Sequence, residues 1–289
     1  MNITCSLVVA LLASLLIGAD VHAQWNMRQE AERYPPLKFE PEVKTYGSFK
    51  SIQNSTFIPE GKAEAFPAVV LIHACAGINS KSESDLRRWT QFLLKHGFAV
   101  LVVDSLGPRN IQRNCGREIT VPAGQLVKDV LDAVAFLASK PEVDAKRIFT
   151  LGFSKGAMTG GMLASEAHYQ AISKGQPKPR AVAGLYGGCD YGNGGNWLPR
   201  DASVPILWLM GADDTESPPS GCAVAIKDIA ERNLINAHSY PGVGHCWDCE
   251  LLSGFSKISG NGQRVTYRYD REVTQDSERR VLEFLNSFR

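Results

Sequence analysis

Five runs of nearly unbroken apolar residues punctuate the chain from residue 68 onward, at 68–72, 98–103, 147–153, 181–185 and 206–210. A strand with one wet face alternates polar and apolar positions, whereas a strand covered on both faces does not, so these runs predict buried strands. The segments between them carry a different period. Leu126, Val130, Val134 and Leu137 recur at helical spacing and predict a helix over 125–138. A helix over 85–96 is predicted with Ser82 or Ser84 as its cap and Gly97 as its stop. Further helices are predicted from 155 to 167, 223 to 232 and 277 to 288, with a short strand at 237–240. Strands alternating with helices predict an α/β fold with a mostly parallel sheet and helices on both faces. Right-handed crossovers then bring the strand C-termini to one edge, where open sheets of this kind bind ligands. Chemistry is therefore to be sought just after each apolar run.

Upstream of residue 68 the pattern weakens. Residues 24–42 are polar and hold Pro35, Pro36 and Pro41, which predicts an extended lead-in. Two short strands, 43–49 and 55–58, are predicted to form a first hairpin. Residues 24–62 thus precede the repeating pattern, and 24–289 are predicted as a single domain. The stretches 104–122 and 187–203 are long loops containing Gly, Asn and Pro, placed to shape a pocket. At the start, residues 7–17 are apolar apart from small residues and are followed by Val21-His22-Ala23. This reads as a signal peptide over 1–23, cut after Ala23, although residues 1–6 lack the usual Lys or Arg. The run falls short of the roughly 20 apolar residues of a membrane span. An uncleaved anchor is the alternative. Export implies a secreted or periplasmic protein and no stable membrane span after cleavage. The formal net charge of +1 gives no reason to expect a nucleic-acid partner.

Gly152-Phe153-Ser154-Lys155-Gly156 matches the Gly-x-Ser-x-Gly pattern between a predicted strand and a predicted helix, the context that this nucleophile turn requires. A serine hydroxyl is a poor nucleophile at neutral pH and needs a base within hydrogen-bond reach. On a sheet of this type the partners follow in the order Ser, Asp or Glu, His. His22 goes with the leader, His73 and His96 precede the serine, His168 lies before any candidate acid, and His238 sits inside a strand. His245, in Gly242-Val243-Gly244-His245, remains as the base. Gly211-Ala212-Asp213-Asp214 offers two carboxylates to orient it, and position alone does not choose between Asp213 and Asp214. Backbone N–H groups of Lys155 and of the loop His73-Ala74-Cys75-Ala76-Gly77 are the candidate oxyanion donors. The Lys155 side chain is expected to face solvent, and Cys75 is a rival nucleophile. After Ala23 six cysteines remain, an even number that suggests disulfides in an exported chain. Cys246-Trp247-Asp248-Cys249 could be a redox pair or half a zinc site, but no second pair completes a zinc set, so no metal is expected.

Taken together, the motifs at 71–77, 103–109, 152–156, 211–214 and 240–245 resemble the dienelactone hydrolase family, and more closely its exported, serine-containing relatives. The resemblance covers roughly residues 66–289 and implies the α/β-hydrolase fold, hydrolysis of a small-molecule carboxylic ester, and no cofactor. It favours Asp214 as the acid and the N–H of Cys75 as the second oxyanion donor, and it suggests Arg109 as a binder of substrate carboxylate. It also suggests the disulfides Cys75–Cys115 and Cys189–Cys222, leaving Cys246–Cys249 as a tight pair. Three departures matter. The family's elbow cysteine is Ser154 here, its glutamate matches Ala74, and a binding arginine matches Cys249. The dienelactone substrate is thus not implied. The rival readings are a peptidase or amidase on the same fold, and a binding protein that kept the fold without catalysis.

Overall fold

A computed structural model describes residues 26–45, 51–61, 65–115, 120–189, 197–260 and 262–288. The predicted leader, residues 46–49 of the predicted first strand, and parts of both predicted pocket loops lie outside the described residues. Among the described residues one sheet contains eight strands: β1 Val43–Thr45, β2 Thr56–Ile58, β3 Phe66–Ile72, β4 Ala99–Val103, β5 Val143–Phe153, β6 Val182–Leu185, β7 Ile206–Gly211 and β8 Ile235–Tyr240. Their order is β1-β2-β4-β3-β5-β6-β7-β8. All neighbours pair in parallel except β2 with β4. This is the α/β-hydrolase fold.

The apolar runs explain how the sheet is covered. Along β3, Val69 and Leu71 point to one face, where they pack with Trp89 and Leu93 of α1 (Ser82–Lys95) and Val281 and Leu285 of α6 (Arg271–Asn286). Ala68, Val70 and Ile72 point the other way, onto Val127, Val130, Leu131 and Val134 of α2 (Ala123–Ala138) and Met162 and Leu163 of α3 (Lys155–Ala164). Beyond β6 the same face continues through Val182, Ile206 and Trp208 to Ala225 and Ile229 of α5 (Ala223–Ala230). A strand side chain points to alternate faces, so only an uninterrupted apolar run satisfies both layers.

Three local expectations are corrected, and one element is added. β1 and β2 run parallel rather than as a hairpin, because β2 takes its direction from antiparallel pairing with β4 and β1 adds at its outer edge. Neither Ser82 nor Ser84 caps α1; the Asn79 side-chain oxygen accepts from the N–H of Lys81 and Ser82. The helix predicted from 155 to 167 breaks at Ser165, which is extended (ψ 129°) and caps α4 (Glu166–Ile172) by accepting from His168 N. A small antiparallel pair, β9 Ser256–Ile258 and β10 Arg264–Thr266, was not predicted. Among the described residues no helix is long and apolar enough to cross a membrane.

Three disulfides lie in loops beyond the C-terminal ends of the strands. Cys75, after β3, joins Cys115, after β4; Cys189, after β6, joins Cys222 at the start of α5; Cys246 joins Cys249 within the loop after β8. The first two close loops of 40 and 33 residues. On chain-entropy grounds each removes about 4 kcal/mol of unfolded-state freedom.

Candidate active site

Ser154 sits at the junction of β5 and α3 with φ 51° and ψ −113°, a left-handed backbone that L-residues rarely adopt. Its N–H is held by the Leu185 carbonyl of β6 at 2.9 Å. The two flanking glycines are sterically required. A Cβ on Gly152 would lie 2.2 Å from the Gly156 carbonyl oxygen, and a Cβ on Gly156 would lie 2.2 Å from the Ile72 carbonyl oxygen. This close approach seats the start of α3 against the end of β3, with the loop bearing Cys75 just beyond. The N-terminus of α3, with its uncompensated N–H groups, therefore begins at the serine, where it favours negative charge.

His245 reaches the serine from the loop after β8. Its Nε2 lies 3.0 Å from Ser154 Oγ and its Nδ1 lies 2.7 Å from Asp214 Oδ2. All three side chains are buried. The acid loop and the histidine loop are stitched together: Asp213 N donates to Val243 O at 2.9 Å, and a Cβ on Gly211 would meet that same oxygen at 2.4 Å. The two neighbouring carboxylates, which position alone does not separate, differ in orientation. Asp213 is exposed, whereas Asp214 Oδ1 accepts from the N–H groups of Glu216 and Ser217, both at 2.9 Å, which aims Oδ2 at the imidazole.

Burial would push the His245 imidazole down, but the Asp214 carboxylate and then Glu216 outweigh it and hold the ring above its ordinary value. Sequence reasoning missed Glu216. Its Oε2 lies 4.0 Å from His245 Nε2, its Oε1 accepts from Lys257 Nζ at 2.7 Å, and Oε2 accepts from Tyr267 O–H at 2.9 Å. Also unforeseen is the support behind the ring. Tyr186 packs edge-on to His245 with centroids 4.9 Å apart and donates to Asp248 Oδ1 at 2.8 Å. Asp248 Oδ2 in turn accepts from Trp89 Nε1 at 2.8 Å and Arg88 Nη2 at 2.9 Å. Of these residues only Asp248 lies inside a motif, the Cys-x-x-Cys run, and neither that motif nor a Tyr after an apolar run carries a signal for this role.

Arg109, Lys155 and Cys75 sit as follows. Arg109, expected to bind a substrate carboxylate, has Nη1 and Nη2 donating to Asp129 at 2.7 and 2.8 Å, and its side chain is 5% exposed. Its place just after β4 is shared by a role in fixing that loop to α2. The Lys155 side chain is half-buried over the Trp197 ring at 4.6 Å rather than facing solvent. Cys75 is bonded to Cys115, the pairing that the family resemblance suggests, so the rival reading of Cys75 as a nucleophile is set aside. Cys246 and Cys249 are likewise bonded to each other, and among the described residues no cluster of three or more His, Cys, Asp or Glu could hold a metal.

Among solved structures, a Klebsiella pneumoniae protein described as a dienelactone hydrolase superposes with a TM-score of 0.60 at 20% identity, covering 79% of this chain and 90% of its own. A dienelactone hydrolase-like promiscuous phosphotriesterase from metagenomic libraries gives 0.58 at 18% identity, covering 79% and 89%. A thermophilic esterase of Thermogutta terrifontis gives 0.58 at 13% identity, covering 81% and 88%. At these identities the likeness is one of fold. No curated protein matches the sequence. The model of the dienelactone hydrolase family matches residues 53–289, most of the chain, and that match decides the assignment. The chain belongs to the dienelactone hydrolase family of ester hydrolases.

Proposed function

We propose that the protein cleaves a small carboxylic ester through an acyl-enzyme on Ser154, with His245 as base and Asp214 as its orienting acid. The observation that carries this reading is the continuous chain Ser154 Oγ–His245 Nε2 at 3.0 Å and His245 Nδ1–Asp214 Oδ2 at 2.7 Å. As Oγ bonds to the ester carbonyl carbon, its proton passes to Nε2 and the carbonyl oxygen becomes an anion. The backbone N–H groups of Cys75 and Lys155 are assigned to that oxyanion, with the α3 N-terminus behind them. The imidazolium then protonates the leaving alcohol, and water, deprotonated by the same ring, releases the acid. The engagement of Arg109 by Asp129 favours an ester without the carboxylate of a dienelactone.

The three disulfides fit an oxidising compartment. With the apolar leader ending at Ala23, they support export to the periplasm or beyond, and a mature chain from residue 24 that forms one α/β-hydrolase domain.

The test is covalent labelling. A fluorophosphonate probe is expected to modify Ser154, identified by peptide mapping, and Ser154→Ala is expected to abolish both labelling and hydrolysis of p-nitrophenyl acetate with the circular dichroism spectrum unchanged. Labelling elsewhere, or near wild-type turnover in Ser154→Ala, ends this reading.

A further inference from the structure

The proposed reaction creates a positive imidazolium, and Asp214 compensates it only at Nδ1. The Nε2 side faces the reacting atoms, and there the geometry points to Glu216 as a second carboxylate for the His245 imidazolium, a positioning residue that acts through space without taking the proton. This inference rests on the Ser154, His245 and Asp214 reading.

The placement follows from the acid loop. Asp214 Oδ1 accepts the Glu216 N–H, so the same carboxyl group that orients His245 also fixes the backbone from which Glu216 reaches over the ring. At 4.0 Å from Nε2, Glu216 Oε2 is beyond hydrogen-bond distance and does not capture the Nε2 proton that the leaving alcohol needs. Both of its oxygens are already engaged, Oε1 by Lys257 and Oε2 by the Tyr267 hydroxyl. A unit charge at this distance, partly shielded from water, still acts strongly on the ring. Tyr267 lies across the imidazole with centroids 5.8 Å apart, and Lys257 Nζ sits 5.2 Å from the Tyr267 ring centre. The small β9–β10 hairpin therefore delivers both groups that hold Glu216 in place.

The charged and titratable groups around His245 are Asp214 and Glu216 from the loop after β7, Lys257 from β9, Tyr267 after β10, and Tyr186 after β6 with Asp248 behind it. Burial favours a neutral Glu216, but the His245 imidazolium and Lys257 hold its carboxyl below its ordinary value, so the charged carboxylate is favoured once the imidazolium forms. Lys257 opposes Glu216 at the imidazole, and Asp214 and Glu216 act together.

The rival account is that the Glu216–Lys257 pair merely clamps the hairpin to the acid loop. The two differ in what His245 feels. In protein labelled with ¹⁵N-histidine, His245 would be titrated by NMR, its signal assigned by its absence in His245→Gln. Glu216→Gln is expected to lower the imidazole pKa by about one unit, and the acidic limb of kcat/KM for p-nitrophenyl acetate is expected to move down with it. Lys257→Gln is expected to move both in the opposite direction. A fall smaller than about 0.5 unit in Glu216→Gln, or a rise, overturns the inference. If Glu216→Gln leaves Lys257 unpaired and fails to fold, comparing Lys257→Gln with the double variant Glu216→Gln/Lys257→Gln reads the same shift against the same threshold. Ser154→Ala separates the two levels. Full loss of activity there with no shift in Glu216→Gln rejects the role of Glu216 alone, whereas retained activity in Ser154→Ala rejects the catalytic reading and this inference with it.

Discussion

Asp214→Asn changes one atom and reverses a tautomer. In the structure Oδ1 takes two backbone N–H donors at 2.9 Å, from Glu216 and Ser217, while Oδ2 faces His245 Nδ1 at 2.7 Å. An asparagine has one oxygen for these two duties. If its oxygen faces the imidazole, its NH₂ points at two backbone donors, and two N–H groups, one buried and one part-buried, lose their acceptor. Each such loss costs about 1–3 kcal/mol, so this orientation lies about 2–6 kcal/mol above the other. The favoured orientation keeps the backbone bonds and turns the NH₂ toward Nδ1. Nδ1 must then accept, the ring proton moves to Nε2, and Nε2 no longer accepts from Ser154 Oγ. Loss of the base in this way is expected to lower kcat by about 10⁴-fold, or about 5 kcal/mol of barrier. The assay is p-nitrophenyl acetate hydrolysis at pH 7–9, with folding monitored by circular dichroism and urea denaturation. Asp213→Asn, at the exposed neighbour, is the control and is expected to stay within about twofold of wild type. A loss below tenfold in Asp214→Asn, or an equal loss in Asp213→Asn, refutes the reasoning.

Two further outcomes concern stability. Gly156→Ala places a Cβ 2.2 Å from the Ile72 carbonyl oxygen and 2.7 Å from that of His73, both backbone atoms that cannot swing aside, so a loss of about 2–4 kcal/mol is expected by urea denaturation; a variant as stable as wild type would show that the packing of α3 on β3 is looser than drawn. Asp85 is held up at about 7 by burial and then by the nearby Asp248 carboxylate, so the folded protein keeps a proton there that the unfolded chain releases near pH 4. Its contribution to stability is complete below about pH 4 and is lost as pH rises through 7. Asp85→Asn is therefore expected to exceed wild type by about 1–2 kcal/mol at pH 8 and to match it near pH 4.5, and equal stability of the two proteins at pH 8 would contradict the assignment.

The layered sheet was legible because its evidence is local. A run such as 68–72 can be buried on both faces only as an interior strand, and the spacing of Leu126, Val130, Val134 and Leu137 fits only one helical face. The turn at Ser154 was legible for the same reason, since Gly152 and Gly156 lie within two residues of it and the steric demand is met by neighbours in the chain. His245 was reached by elimination among six histidines and by its place after a strand. Weak local signals failed where a distant partner decided. β1 and β2 hold three residues each, and pairing with β4 set their direction.

What the chain determined alone is the fold, the elbow and a short roster of partners, because periodicity and turn sterics act over a few residues. Position in the chain did not separate Asp214 from Asp213; tertiary structure has Asp214 facing the imidazole, Arg109 paired with Asp129, and Glu216 Oε2 4.0 Å from Nε2. Those outcomes depend on which way a side chain turns once loops after β4, β7 and β8 are held at one rim. Such directions are set by hydrogen bonds and charges between residues far apart in the chain, and no period or spacing encodes them.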